Sequence, residues 1–288
     1  MSEKLKYFGT IYIIASLRGG VGKTKLARLL CSTFLAGGES FFGIDTDGIN
    51  ENSARPTYGM AALWPQDAEL LAYKRMDGTR MQKDKDEFSG RLIEIVESAV
   101  YKHIVIDCGA GESLYLLGLL HGDGIINDIV DAGYRVRILV PVTNAASTHG
   151  TVTEVDNFLR QPEFGRLQSI CQCYVVLDAA LGASANLIDR RDDFTMELDY
   201  PAWQASTVRH DALAVGWQEL ILPTLSDPSV YHSYEQALAA GLVVPPKDWA
   251  EGLEHARGRI QRRRMERWLH ACETVLSDWA GGDNDDRP

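Results

Sequence analysis

The chain has 288 residues, of which 45% are hydrophobic and 24% charged, and carries a formal net charge of -11 at pH 7. That length and apolar share support a full hydrophobic core, arranged as one large α/β domain or two small ones. The acidic balance excludes a protein that coats nucleic acid or anionic membrane with its whole surface, and restricts any such contact to a local basic patch.

The N-terminal "MSEKLKYFGT" lacks the apolar region of a signal peptide, and no segment has the roughly 18 uninterrupted apolar residues of a spanning helix. The expectation is a soluble, cytoplasmic protein. "TIYIIAS", Thr10 to Ser16, is short, rich in Ile and followed by glycines, as a buried parallel strand should be. From Lys23 the periodicity turns helical, with Leu26, Leu29, Leu30 and Phe34 on one face and Gly37-Gly38 as the stop. "SFFGID", Ser40 to Asp45, is the second predicted strand. Residues Asn50 to Phe88 contain Pro56, Gly59, Pro65, Gly78 and the charged run "KDKDE" at Lys83 to Glu87, which predicts an irregular, partly helical excursion with a solvated charged face.

A helix from about Ser89 to Tyr101, with Leu92, Ile93, Val96 and Val100 inward, leads into "HIVIDCGAG", a buried strand ending in an acid and glycines. Strands "YRVRILVPV" (Tyr134 to Val142), "CQCYVVLD" (Cys171 to Asp178) and "WQELILPTL" (Trp217 to Leu225) follow, separated by helical patterns. Alternation of this kind predicts an α/β fold, a mostly parallel doubly wound sheet whose ligands bind at the carboxyl ends of its strands. The five cysteines, Cys31, Cys108, Cys171, Cys173 and Cys272, have no framework spacing and are expected as reduced thiols. Cys171 and Cys173 point to one face of a strand, an arrangement that suits a metal but is met more often by two small apolar fillers. The tail "AGGDNDDRP" reads as disordered.

Between the first strand and the first helix stands "SLRGGVGKT", Ser16 to Thr24. In a G-x-x-x-x-G-K-[ST] phosphate loop the first position is glycine; here Leu17 occupies it and Arg18 precedes two glycines. Glycines let successive N–H groups turn inward around phosphate oxygens, and the helix N-terminus adds its partial positive charge. Lys23 then bridges the terminal phosphates and Thr24 places its hydroxyl on Mg²⁺. Asp45 and Asp47 close the second strand and Asp107 closes a later one. Parallel strands bring those ends to the loop's edge of the sheet, where acids hold a magnesium shell and orient a water against the γ-phosphate.

"RGGVGKT", "GIDTDGINEN" and "HIVIDCGAG" resemble the deviant Walker A, switch I and Walker B/switch II motifs of the ParA/MinD family of P-loop ATPases. "RILVPVTNAAS" and "LPTLSDPSVYHSYEQALAAGLVV" extend the resemblance over roughly residues 8 to 245. It implies a P-loop nucleoside triphosphatase fold, ATP and Mg²⁺ as cofactors, and a nucleotide-sandwich homodimer. Gly19, Gly20, Val21, Gly22, Lys23 and Thr24 match the loop; Thr24, Asp45 and Asp107 match the groups near magnesium; Asp47 matches the acid that positions the attacking water. Asn52 falls where MinD-like proteins have a switch I asparagine. Leu17 fits this subclass, which does not need the first glycine. Arg18 stands where the family has a signature lysine that reaches the partner's phosphates; arginine keeps the charge in a longer, planar fork. Gly48 and Ile49 depart from the family's D-x-D-P-Q-G-N, and "DTDGIN" is similar to the D-T-D-P-x-N of conjugation-linked relatives such as TraL proteins. Asp178 stands where the family usually has an adenine-reading asparagine. Aspartate also suits guanine, but no N-K-x-D or T-K-x-D surrounds it, and ATP is favoured over GTP. Pro223 to Asp227 is the other segment expected to border the base.

The expected division is a nucleotide-binding domain over residues 1–245, a C-terminal helical segment over 246–279 and a tail over 280–288. Trp249 to Trp279 read as one or two helices, with Gly258 a candidate break between them. From Arg259 onward, Met265, Trp268, Leu269, Cys272, Val275, Leu276 and Trp279 share one face, and Arg259, Arg262, Arg263 and Arg267 lie mostly opposite. The apolar face is expected to pack on the domain, and the arginines to meet water or DNA phosphates; an anionic membrane is the less favoured partner. The leading expectation is a slow, nucleotide-switched dimeric Mg-dependent ATPase that controls DNA and partner-protein binding in plasmid partition, stability or transfer. The alternatives are a metabolic ATP-dependent ligase on the same scaffold and a MinD-like membrane-associated positioning ATPase. A metal-carrying relative lacks its paired C-x-x-C here, and intact Lys23, Thr24, Asp47 and Asp107 oppose a degenerate binding partner.

Overall fold

Seven parallel strands form the centre of the computed structural model, which describes residues 7–16, 21–46, 60–70, 78–109, 113–122, 124–142, 148–177, 194–195, 201–225 and 256–281. In chain order the first half runs β1 (Gly9–Ile14), α1 (Lys23–Ala36), β2 (Phe41–Asp45), α2 (Met60–Leu63), β3 (Ala68–Leu70), α3 (Gly78–Glu97), β4 (His103–Asp107), α4 (Ser113–Gly122), α5 (Ile125–Asp131) and β5 (Tyr134–Val142). The second half runs α6 (Thr148–Leu159), α7 (Pro162–Leu167), β6 (Gln172–Leu177), β7 (Phe194–Thr195), α8 (Pro201–Gln204), α9 (Thr207–Ala214), β8 (Gln218–Ile221), β9 (Thr224–Leu225) and α10 (Ala256–Gly281). The sheet order is β3-β2-β4-β1-β5-β6-β8 and every pairing is parallel; β7 and β9 form a separate antiparallel pair. This is the expected α/β architecture. After β1 the chain builds one side of the sheet and only later, from β5, the other. That makes the carboxyl edge of β1 the topological switch point where such sheets hold ligands.

Period-2 alternation divides the interior into two cores. Ile11, Ile13, Ile104, Ile106, Val136, Ile138, Val140, Cys173 and Val175 face helices α3 to α9. Tyr12, Ile14, Val105, Leu139, Tyr174 and Val176 face α1, α2 and α10. Cys171 and Cys173 both fall in the first core, and all five cysteines are buried. On α1 the expected stripe of Leu26, Leu29, Leu30 and Phe34 is buried, and Gly37 and Gly38 follow its end.

Four elements differ from the sequence expectation. A strand, β3, lies inside the segment read as irregular; it pairs with β2 over three residues, too short for period-2 hydrophobicity to register. Helix α3 begins at Gly78 and includes Lys83 to Glu87, because Lys and Glu favour helix as readily as solvent. It also ends at Glu97, and Ala99, at φ 49°, turns the chain, leaving Val100 60% exposed rather than inward. The stretch Trp217 to Leu225 is two strands: Pro223 has no N–H for the ladder, and the chain leaves the main sheet for β7 there. Gly258 does not break α10, which runs continuously from Ala256. The expected domain boundary near residue 245 lies outside the described residues. Among the described residues, no helix is long and apolar enough to cross a membrane.

Burial pushes the Tyr12 phenol from its ordinary 10.0 up to about 12, against the opposing field of Arg137. Burial likewise raises Tyr134 to about 12. Between those values the unfolded chain has released protons that the folded chain keeps, so stability is complete below about pH 10 and falls as pH rises toward about 12. The denaturant midpoint is expected to be lower at about pH 11 than at about pH 8, and the Tyr12→Phe, Tyr134→Phe double variant to lose part of that slope. A midpoint unchanged across this range contradicts it.

Candidate functional site

The carboxyl end of β1 leads through buried Ala15 and Ser16 toward the glycine loop, of which Leu17, Arg18, Gly19 and Gly20 lie outside the described residues. The chain continues at Val21, 4% exposed, and Gly22, which caps α1 at φ 91° and ψ 14°. Glycine adopts this left-handed conformation without steric cost, and its carbonyl accepts the Leu26 N–H at 2.9 Å. The next two residues, Lys23 and Thr24, open the helix. Its N-cap offers no side-chain hydrogen bond and its own first turn holds no acid, which leaves the positive end of the helix dipole at this edge without a carboxylate from the helix itself. Lys23 is 6% exposed.

Asp45 and Asp107 end β2 and β4 and are register partners; Asp107 is also opposite Ile14 of β1. The two acids are 4% and 2% exposed. Asp45 Oδ2 accepts the Ala61 N–H of α2 at 2.8 Å, which anchors one carboxylate by a helix N-terminus. Burial pushes the nearby Cys31 thiol well above its ordinary range, and Asp45 and Asp107 push it further. Its Sγ donates to Met60 Sδ at 3.4 Å.

Two hydroxyl residues that the sequence patterns do not mark, Thr46 and Ser113, hold these strand ends. Thr46, between the two acids of "DTD", donates through N–H and Oγ1 to the Asp107 carbonyl at 3.0 and 3.2 Å. Its Oγ1 also accepts the Gly109 N–H at 3.0 Å. Ser113, at the start of α4, accepts the Ser16 N–H at 2.9 Å and donates to the Ser16 carbonyl at 3.0 Å. The available signal was a small hydroxyl residue beside each acid- or glycine-bearing strand end.

Across β1, Leu177 closes β6 and bonds to the Leu222 N–H at 3.0 Å, beside buried Pro223. The Pro223 carbonyl accepts the Trp268 Nε1–H of α10 at 2.8 Å. The structure therefore gathers Val21, Gly22, Lys23, Thr24, Asp45, Asp107 and Pro223 along the carboxyl edge of the sheet. Asp47, Asn52 and Asp178 lie outside the described residues. On α10, Met265, Trp268, Leu269, Cys272 and Leu276 are buried against α1 and its sheet face, with Val275 and Trp279 packed beside them. Arg263 and Arg267 are exposed; Arg259 and Arg262 belong to the same helix. Among the described residues, no three His, Cys, Asp or Glu side chains form a metal-holding group. Two buried carboxylates at adjacent strand ends, with the Thr24 hydroxyl opening α1, are hard oxygen donors of the kind Mg²⁺ takes together with phosphate oxygens.

The chain matches no protein-family model and no curated protein sequence. Among solved structures it is similar to the MinD cell division protein of Aquifex aeolicus, with 14% identity, 97% of this chain and 100% of that chain covered, and a TM-score of 0.47. It is similar to the septum site-determining protein MinD of Pyrococcus horikoshii OT3 complexed with Mg-ADP, with 14% identity, coverage of 95% and 96%, and a TM-score of 0.46. A third similar structure is the Cyanothece McdA complex with ATP, with 14% identity, coverage of 94% and 97%, and a TM-score of 0.43.

Ser113→Ala removes both bonds that its hydroxyl makes to the end of β1 at Ser16. The expected cost is about 1–3 kcal/mol in denaturant unfolding. A loss within about 0.5 kcal/mol, the range of an ordinary surface substitution, contradicts a holding role for this hydroxyl.

Proposed function

We propose that the chain is a nucleotide-switched, Mg-dependent ATPase of the ParA/MinD type, working in the cytoplasm as an ATP-induced homodimer that controls binding to DNA and a protein partner. The carrying observation is that Lys23 and Thr24 open α1 at the sheet edge where Asp45 and Asp107 end adjacent strands in register. In this reading the N–H groups of Gly19 to Gly22 cradle the phosphates, and Lys23 neutralises charge on the terminal ones. Asp47 orients a water for in-line attack on the γ-phosphorus; the new P–O bond forms as the β–γ bridging bond breaks, releasing ADP and inorganic phosphate. Thr24, Asp45 and Asp107 would hold Mg²⁺, which would supply neutralisation of phosphate charge. Arg18 acts across the dimer on the partner's phosphates. Asp178 and Pro223 border the base.

The basic face of α10 supports the DNA contact. Its apolar face is consumed by packing on the body, which leaves exposed Arg263 and Arg267, with Arg259 and Arg262 on the same helix, to meet phosphates. Plasmid or DNA partition, stability or transfer is the process this fits, and the binding should weaken sharply with salt.

The decisive measurement is the monomer–dimer equilibrium and DNA retention with ATP, GTP and ADP. Wild type is expected to dimerise and retain DNA with ATP and to revert with ADP, and Lys23→Ala to do neither. If oligomeric state and DNA affinity ignore nucleotide, the switch reading is wrong.

Asp47→Ala is expected to bind ATP and accumulate a nucleotide-bound dimer while turnover drops by about 100-fold or more. A variant that cannot bind ATP would move Asp47 from water positioning to structure.

A further inference from the structure

One side chain of α10, Trp268, reaches both flanks of the candidate nucleotide site. Its indole is 2% exposed, and its ring centroid lies 5.9 Å from Nζ of Lys25, in the first turn of α1 two residues after Lys23. Its Nε1 donates to the Pro223 carbonyl at 2.8 Å. Pro223 sits where the backbone changes sheets: the Leu222 N–H still bonds to Leu177 of β6, whereas Thr224 already pairs with β7. Proline has no N–H to give either ladder. The indole therefore fixes this crossing point through its carbonyl.

The sheet order assigns that crossing point a side of the ligand. Asp45 and Asp107 end strands on the β4 side of β1, and β5, β6 and β8 lie on the other side. A triphosphate whose terminal phosphates and cation face the acids extends its nucleoside toward β6 and β8, whose carboxyl edge ends at Leu177, Leu222 and Pro223. We infer that Trp268 is a positioning residue for the nucleoside: it holds the Pro223 segment where it borders the base and ties that segment to α1 and to the arginine-bearing helix. The inference rests on the nucleotide-binding reading. Because linkage is reciprocal, a nucleoside that contacts this segment and the docked state of α10 stabilise each other.

Trp268→Phe keeps an aromatic ring in the core, removes the Nε1–H donor and shortens the side chain. Calorimetric titrations with ATP and with tripolyphosphate, which has no base, separate the two flanks. Ser32→Ala serves as the control, since it removes a different α10 contact, the 3.4 Å bond from Ser32 Oγ to Glu273. For Trp268→Phe the expected result is an ATP affinity lower by about three- to tenfold with tripolyphosphate affinity within about twofold of wild type. Ser32→Ala is expected to bind both as wild type does. Unchanged ATP affinity, an equal loss for both ligands, or the same selective loss in Ser32→Ala each overturns the positioning role. Wild type that binds neither ligand overturns the nucleotide reading and this inference with it.

Discussion

The parallel register of β2, β4 and β1 is the constraint on which the candidate site depends. It sets Asp45 opposite Asp107 and Asp107 opposite Ile14, so two buried carboxylates end strands about 4.8 Å apart beside the start of the glycine loop. Burying two like charges side by side costs several kcal/mol per ion unless hydrogen bonds and opposite charge offset it. The surroundings are built accordingly. The N-terminus of α2 donates to Asp45, Thr46 crosslinks the strand ends, and Lys23, 6% exposed, opens α1. Such an edge is a preorganised polar strip in an otherwise apolar interior, suited to a ligand that carries phosphate and a divalent cation.

The second constraint is the docking of α10, which completes the core on the α1 face of the sheet. Arg137 of β5 secures its C-terminal end. The guanidinium is buried, lies 4.6 Å from the Trp279 ring and about 6 Å from Tyr12 and Tyr174, and donates to Gln172 Oε1 and the Trp279 carbonyl. A cation at a helix C-terminus meets the negative end of the helix dipole, and three aromatic faces offset part of its lost hydration. The helix is thus held at its middle by Trp268 and at its end by Arg137. Arg263 and Arg267 are therefore presented from a fixed surface of the domain.

How far the sequence was legible depends on how local the deciding interaction is. β1, α1 and the alternation of strand and helix were readable because period-2 and period-3.6 patterns are properties of neighbouring residues. The α10 face from Met265 to Trp279 was readable for the same reason. β3 was not: three residues pair with β2 only because that edge is open, and "AEL" alone has no strand signature. Val100 continued the helical stripe in sequence, yet the helix stops at Glu97 and turns at Ala99 to return the chain to β4. Gly258 costs helix propensity, but not enough to outweigh a long helix whose later turns are packed.

The sequence by itself determined the fold class, the glycine loop between strand and helix, and the acids at strand ends, because residue type and spacing specify backbone conformation and candidate chemistry locally. Only the tertiary structure decided that Asp45 and Asp107 share a register position, that Ser113 clasps Ser16 across 97 residues, and that Trp268 holds Pro223. Strand order and helix docking are settled by which apolar faces bury one another. These are long-range choices with no local pattern to announce them.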